Sequence, residues 1–499
     1  MLASLLARHA QERPEERAVV SDVRVLTWRE LHERTERLAA GLAARGVEAG
    51  EPVALVLPNG PAFVAGFLAL ARLGAVALPL AAESKAKEVR SALDASGCRT
   101  LLADGRLAGL CRDLLGDASL LRAFVSGVGD EGVPSLRSLA DAGQRPACPL
   151  PPEGADLLEQ LTSGTTGPRK RIVRTHTQLL REAAAFAATV GTSPEDRILG
   201  VVPLSHAHGL GNALLASLHA GAALVLQERF DRRATLRLLA CERITLFPAV
   251  PFLVSILADT RTREPVDLSA LRLCFTAGSP LRRETWSKAR ERLGISLRQL
   301  YGSTETGALT LNLDADAEAT LESVGRPLEG VRVAILDEAG AVLPSGSEGQ
   351  VAVRSPAAAE HSLGPRGRTP LAGPGGWLRM GDLGRLDAEG RLHLGGRTAL
   401  VINVAGRKVN PAEIESVLLG HPKIREAVVV GVRDPYGEEA VKAVIVPREP
   451  CTRDEVLARC REGLADYKVP RLVEFRSAIP RCPAGKVLRN ELMEPSCAS

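Results

Sequence analysis

Residues 53–80 read VALVLPNGPAFVAGFLALARLGAVALPL. Val53-Ala-Leu-Val-Leu57 is a short, continuous apolar run, and Val76-Ala-Leu-Pro-Leu80 is a second. Runs of this kind mark strands buried on both faces, and the Ala- and Leu-rich segment between them reads as a helix. Buried strands joined by helices form parallel sheets covered on both sides, so the fold class is α/β. Working back toward the start, Thr27 and Glu30 have capping-box spacing. Leu31, Leu38 and Leu42 then share one helical face, and Gly46 closes the segment.

Working toward the C-terminus, the Pro-, Gly- and Ala-rich stretches 142–155 and 362–376 read as linkers or exposed loops. Asp156–Leu161 reads as a strand, with a helix beginning near Thr177. Beyond about residue 396 the pattern becomes a compact α+β unit. Leu400–Val404, Ala427–Val432 and Val441–Val446 are expected strands, and Asn410–Leu419 and Arg453–Leu464 expected helices. The expected organisation is a large α/β domain, 1–395, followed by a small α+β domain, 396–499.

Composition narrows the function. The chain has 499 residues, 45% of them hydrophobic and 24% charged, which is ordinary globular usage. Its 63 basic and 59 acidic residues leave a net charge of +4, so no nucleic-acid partner is expected. The nine cysteines include no CxxC pair and read as reduced thiols. Val64–Ala82 is interrupted by Arg72 and Gly74 and is too short to span a bilayer. With no leader pattern at the N-terminus, the expected location is cytoplasmic. Lysine is rare, occurring only at 85, 87, 170, 288, 408, 423, 442, 468 and 486. A lysine inside a motif is therefore informative.

Leu161-Thr-Ser-Gly-Thr-Thr-Gly-Pro-Arg-Lys-Arg171 follows the Asp156–Leu161 strand. A Gly-, Ser- and Thr-rich loop after a strand offers backbone N–H groups and hydroxyls to phosphate oxygens, and Lys170 adds a mobile charge. Neither a GxxxxGK[ST] loop nor a GxGxxG fingerprint fits it.

LTSGTTGPRK resembles the phosphate-binding signature of the adenylate-forming superfamily, which includes acyl-CoA synthetases, peptide-synthetase adenylation domains and luciferases. Four further segments are similar to that family in its order. They are Pro203-Leu-Ser-His-Ala-His-Gly209, Tyr301-Gly-Ser-Thr-Glu305, Gly381-Asp382 with Gly396-Arg397 and the Gly406–Glu415 run, and Pro483-Ala-Gly-Lys486. The resemblance spans nearly the whole chain, nearest the branch of acyl-CoA or acyl-carrier-protein synthetases. It implies an ATP-dependent acid–thiol ligase that makes an acyl-AMP and pyrophosphate, then passes the acyl group to a thiol.

The resemblance also implies roles. Thr162, Ser163, Gly164, Thr165, Thr166, Gly167 and Lys170 hold the β- and γ-phosphates, and Thr165 and Glu305 ligate Mg²⁺. Thr304 bonds the α-phosphate. Asp382 accepts from the ribose hydroxyls and Arg397 contacts ribose and phosphates. Tyr301 and Gly302 face adenine, flanked by Ala277, Gly278, Ser279 and Pro280, with Gln299 reading its amino group. Lys486 reaches the carboxylate and α-phosphate. His206, Phe247, Val250, Thr276, Ala277, Gly278 and Ser303 line the acid pocket; His208 is read equally as a core histidine. Gly406, Arg407 and Lys408 meet the thiol acceptor, which is coenzyme A or the phosphopantetheine of a carrier protein acting in trans. A basic small-domain surface of Arg407, Lys408, Arg425 and Lys442 suits either anionic acceptor.

Three departures from the family pattern stand out. Arg171 replaces the usual Gly after the phosphate-loop lysine, making a basic run with Arg169, Lys170 and Arg174 that reads as a phosphate aid, a docking patch or a solvated cluster. Ala399 occupies a usually charged hinge position. The segment PLSHAHGLGN has no Asp to hold an ammonium, so the expected acid lacks an α-amino group. Its expected pocket is apolar, and the low aromatic content (3%) suits an aliphatic lining. Two other readings stay open at this point: an enzyme that diverts the adenylate, as a β-lactone synthetase or luciferase does, and a non-catalytic relic.

Overall fold

The computed structural model describes residues 1–129, 132–142, 149–161, 170–262, 265–364, 367–397, 400, 402–404, 407–433, 439–464, 466–482 and 485–493. These fall into two compact units, one of residues up to 332 together with 354–376, the other of 333–353 and 377 onward.

The first unit holds two large sheets. In the eight-stranded sheet, Pro52–Val56 pairs in parallel with Val76–Pro79 and Thr100–Ala103. The two apolar runs of 53–80 are therefore neighbouring strands. The helix between them, Pro61–Leu73, is buried on nearly every face, as its unbroken apolar composition requires. The nine-stranded sheet carries the parallel strands Ala223–Leu226, Arg197–Gly200, Leu246–Ala249, Leu273–Thr276 and Leu297–Ser303. One of its faces packs on helices Arg232–Cys241, Pro251–Ala258 and Arg283–Leu293 around Leu239, Val254 and Trp286. The Thr27–Glu30 capping box is present, with Glu30 N donating to the Thr27 hydroxyl at 3.2 Å and Thr27 N to the Glu30 carboxylate at 2.9 Å. It opens helix Trp28–Ala44, which buries Leu31, Leu38 and Leu42.

Two expectations about this unit need correction. The chain does not pass from the phosphate loop straight into a helix: strand Arg171–Thr175 comes first, antiparallel to Asp156–Leu161, and Thr175 then caps helix His176–Val190. Nor is 362–376 simply a linker. His361–Gly364 and Gly367–Pro370 form a hairpin that extends the eight-stranded sheet beyond Arg171–Thr175.

The second unit holds a four-stranded sheet of Arg332–Leu336, Gly349–Arg354, Leu378–Leu386 and Leu392–Arg397. Ile424–Arg433 and Glu439–Pro447 pair antiparallel, with Leu472–Phe475 parallel at the edge. Helices Pro411–Leu419 and Arg453–Gly463 cover this sheet around Ile414, Leu418, Val456 and Cys460. No described helix is long and apolar enough to cross a membrane.

Candidate active site

The phosphate loop joins two adjacent antiparallel strands, Leu161 facing Arg171 across the ladder. Thr162, Ser163, Gly164, Thr165, Thr166 and Gly167 lie outside the described residues, as does Gly406; so do the side chains of Arg397, Arg407 and Lys408. Lys170 is exposed and immediately precedes the second strand. The basic run that follows is no cluster. Arg171 points to one face, where Nε and Nη2 donate to the Glu159 carboxylate at 2.6 and 2.8 Å. Arg174 points to the other and is buried against Glu182, with Nη1 2.7 Å from Oε2. Strand pleating separates them, and each is neutralised internally, so neither is available to an external phosphate or an acidic partner.

His206 is half-buried and caps a short helical turn, Ala207–Gly209, which runs on into a π-helical segment, Leu210–Leu215. Such widened turns are frequent at functional sites. His208 Nε2 lies 2.9 Å from the Ala249 carbonyl and Nδ1 2.9 Å from Asn212 Nδ2. A carbonyl can only accept, so Nε2 carries the proton and Nδ1 accepts from Asn212. Burial lowers the His208 pKa to about 4, fixing the neutral ring as a structural post beside His206.

Phe247 is not on this side. It is fully buried among Leu199, Val254, Cys274 and Trp286, on the sheet face covered by the outer helices. Its neighbours in register explain this: Phe247 pairs with Cys274, while Pro248 pairs with Phe275. The aromatic ring on the His208 side is therefore Phe275, edge-on to His208 at 5.8 Å and tilted against Phe186 at 5.6 Å. Thr276 is buried with its hydroxyl donating to the Arg298 carbonyl at 3.4 Å. Val250 and Ala277 are buried at the strand ends, where Gly278, Ser279 and Pro280 form the exposed turn that follows.

Tyr301 is buried on strand Leu297–Ser303, which reverses through Thr304 and Glu305 into Gly307–Leu311. Gly302 pairs with Ala308 and Ser303 with Gly307, which takes a left-handed φ of +67°. Inside the turn, Ser303 N donates to Thr306 Oγ1 at 3.2 Å, and the Ser303 and Thr306 hydroxyls lie 3.2 Å apart. From outside, Ala359 N donates to the Glu305 carbonyl at 2.7 Å. Thr304 and Glu305 are half-buried, and the Glu305 carboxylate has no cationic partner among the described residues.

Gln299 has both amide hydrogens committed to the protein itself. Its carboxamide nitrogen donates to the carbonyls of Leu321 and Ser323, and its oxygen accepts from Leu281 N at 3.2 Å. Through these bonds Gln299 anchors the Gly278–Pro280 turn from beneath, with one lone pair of its oxygen left for a further donor.

In the second unit, Asp382 and Arg397 are cross-strand partners in the antiparallel pair Leu378–Leu386 and Leu392–Arg397. Asp382 is only 6% exposed. Lys486 is exposed on a small loop: Cys482 N donates to the Lys486 carbonyl and Gly485 N to the Cys482 carbonyl, both at 2.8 Å. Arg481 Nη1 also donates to the Gly485 carbonyl at 3.1 Å, with Nη2 2.6 Å from Glu426. The expected basic surface loses Lys442, which is 5% exposed and 2.6 Å from Glu474. An ammonium on a strand buried on both faces needs such a partner.

These residues suit a nucleotide and a hard cation. No group of three or more metal-ligating side chains occurs among the described residues. A dedicated metal cage is thus not what the described part of the site offers. Mg²⁺ commonly takes one or two protein oxygens, substrate phosphates and water. A half-buried carboxylate without a cationic partner, Glu305, fits that requirement.

Sequence regions missed above carry part of this geometry. Asn59 Oδ1 accepts from Leu204 N at 2.8 Å, holding the Pro203–Ser205 approach to His206. Gln160 Nε2 donates to the Ser205 carbonyl at 3.2 Å. The visible signal was a polar residue inside or just beyond a buried apolar strand.

Comparison with known proteins agrees with this geometry. Residues 6–361 match the AMP-binding enzyme family and residues 413–486 the AMP-binding enzyme C-terminal domain. The chain is 33% identical to a feruloyl-CoA synthase from Amycolatopsis over 98% of both chains. It is 34% identical to an indoleacetate–CoA ligase from Aromatoleum aromaticum, covering 99% of this chain and 98% of that one. The crystal structure of ATP-bound MatB from Rhodopseudomonas palustris superposes with a TM-score of 0.89 at 26% identity, over 99% of this chain and 98% of that one. The protein belongs to the AMP-binding, adenylate-forming enzyme family, and is a ligase of its acyl-CoA synthetase branch.

Proposed function

We propose that this protein activates a carboxylic acid without an α-amino group and delivers the acyl chain to coenzyme A. In the first half-reaction a carboxylate oxygen attacks the α-phosphorus of ATP. The bond to the bridging oxygen breaks and pyrophosphate leaves. In the second, the thiol sulfur attacks the acyl carbon, AMP departs and the thiol proton is released. The fixed Ser303–Gly307 turn carries this reading: its backbone is bonded from within and from outside, while the Glu305 carboxylate has no cationic partner among the described residues. A preorganised anion of that kind is what two mutually repelling anionic reactants require, since positioning and electrostatics supply most of the rate.

Glu305 and Thr165 would hold Mg²⁺, which when bound would neutralise charge on the phosphates. Thr162, Ser163, Gly164, Thr166, Gly167 and Lys170 cradle the β- and γ-phosphates, and Thr304 bonds the α-phosphate. Asp382 accepts from the ribose hydroxyls beside Arg397, and Tyr301 and Gly302 face adenine. Lys486 steadies the attacking carboxylate and the α-phosphate, and His206 borders the acid. Gly406, Arg407 and Lys408 meet the thiol arm after rotation of residues 396–499 against 1–395. A phosphopantetheinyl carrier protein in trans is the second candidate acceptor. The cytoplasm, which supplies both ATP and coenzyme A, is the compartment this chemistry needs.

For the acid, Val250 and Ala277 are apolar at the strand ends, the buried Phe275 ring backs His208, and residues 203–212 contain no carboxylate to hold an ammonium. The feruloyl-CoA and indoleacetate–CoA relatives favour aryl acids, so both aryl and aliphatic acids belong in the test. The purified protein is given ATP, Mg²⁺ and ferulate, indoleacetate, malonate or fatty acids, then coenzyme A or a phosphopantetheinylated carrier, and product masses are read. An acyl-CoA from one acid class supports the proposal. Acyl-AMP without thioester from either acceptor contradicts it.

A further inference from the structure

Arg174 and Glu182 are the most deeply buried ion pair among the described residues of the first unit, with side chains 2% and 1% exposed. Nothing in the reaction above uses them, and a buried pair is weak stabilisation on its own account. Their hydrogen bonds lead to the site along two paths. Glu182 Oε1 accepts from Ala308 N at 3.2 Å, directly after the Thr304–Glu305 turn. Arg174 Nε and Nη2 donate to the Ala357 carbonyl at 3.2 and 2.9 Å. Two residues on, Ala359 N holds the Glu305 carbonyl at 2.7 Å. The turn is thus held at the Glu305 carbonyl and just beyond Gly307, both times by groups attached to one charge pair.

The same carboxylate sits against two glycines from different segments. A Cβ on Gly307, or on Gly211 in the π-helical stretch beyond His206, would overlap the Glu182 carboxyl group. Arg174 lies on the strand that Lys170 precedes. The phosphate-loop strand, the His206 segment and the Thr304–Glu305 turn therefore converge on one buried pair.

We propose that Arg174 and Glu182 are positioning residues for adenylation, setting the Thr304–Glu305 turn and the His206 segment in register with each other. The proposal rests on the reading of Glu305 as the metal-holding carboxylate. Partners standing behind metal-holding groups typically change affinity or activity by about 10–100-fold when altered. Shortening Glu182 withdraws the acceptor from Ala308 N, and losing Arg174 frees the Ala357 carbonyl; Glu305 then presents its carboxylate in several orientations.

The test compares Glu182→Asp, Glu182→Gln and the double variant Arg174→Met with Glu182→Gln, which removes both buried charges together. Three quantities are read: thermal unfolding, the ATP dissociation constant by calorimetry with and without Mg²⁺, and acid-dependent pyrophosphate exchange. The expected result is a folded double variant that binds ATP normally without metal, loses about tenfold or more of the tightening brought by Mg²⁺ and loses exchange in kcat more than in KM for the acid. Glu182→Asp, which keeps the charge, should fall between the native protein and the double variant in both readouts. If the double variant or Glu182→Asp keeps the native Mg²⁺ increment and exchange rate, the pair is only structural and the proposal fails. Glu305→Gln is run alongside: if it leaves the Mg²⁺ increment intact, the reading of Glu305 fails instead, whatever the Glu182 variants do.

Discussion

The Ser303–Gly307 turn and the Cys482–Lys486 loop are both short reversals containing a left-handed glycine, Gly307 at φ +67° and Gly485 at +78°. They are held by different means. The first is bonded to a fully buried ion pair, to Ala359 and to its own hydroxyls. The second leaves its lysine exposed and is steadied by Arg481 and Glu426, each about one-fifth exposed. The half-buried Glu305 carboxylate is carried on a turn that the core itself holds. The exposed Lys486 sits on a loop that can shift without opening a core.

The largest expected contrast is in stability. Arg174→Ala leaves Glu182 charged and buried and should cost about 3–5 kcal/mol in urea unfolding. Arg481→Ala, which frees partly solvated groups, should cost about 1–2 kcal/mol. Equal losses would erase the distinction between the two regions.

Acid should find the core-held region first. Burial lowers the pKa of His176, which opens the helix bearing Glu182, to about 4, as it does for His208. The unfolded values are near 6.5, so between pH 6.5 and 4 the unfolded chain binds the extra protons. Stability is complete above pH 6.5 and falls as pH drops through that window, by up to roughly 3 kcal/mol per histidine. His176→Gln should flatten the slope of unfolding free energy against pH. An unchanged slope would show that His176 does not contribute.

The smallest contrast concerns the two glycines. A left-handed alanine costs about 1–2 kcal/mol wherever it stands, so Gly485→Ala should lose about that much. Gly307→Ala adds the overlap with Glu182 and should lose about 1–3 kcal/mol more. Similar losses for both would mean that the Glu182 carboxylate yields easily.

Much of this was legible from residues alone. Strand Asp156–Leu161 is present with the expected bounds, and the Thr27–Glu30 box starts its helix. Asp382 and Arg397, fifteen positions apart in sequence, are brought into cross-strand register. What escaped has physical causes. Strand Arg171–Thr175 was hidden because its arginines find internal carboxylates 12 and eight residues away, Glu159 and Glu182, whose distance depends on pleating and helix phase. Phe247 and Phe275 could not be sorted by face because strands buried on both sides are apolar throughout and show no alternation. Gln299 and Lys442 have ordinary polar side chains in sequence. Only the carbonyls of Leu321 and Ser323, and the carboxylate of Glu474, show that their hydrogen bonds are already committed.

The central claim is that this chain adenylates a carboxylic acid with Lys486 supplying a preorganised cation. ATP–pyrophosphate exchange, measured across the acid panel for the native protein and for Lys486→Ala, tests it most directly. The account predicts exchange that requires one class of acid, reduced about 10²–10³-fold in a variant that unfolds at the native temperature. Exchange absent with every acid in protein that binds ATP, or retained in full by Lys486→Ala, would contradict it.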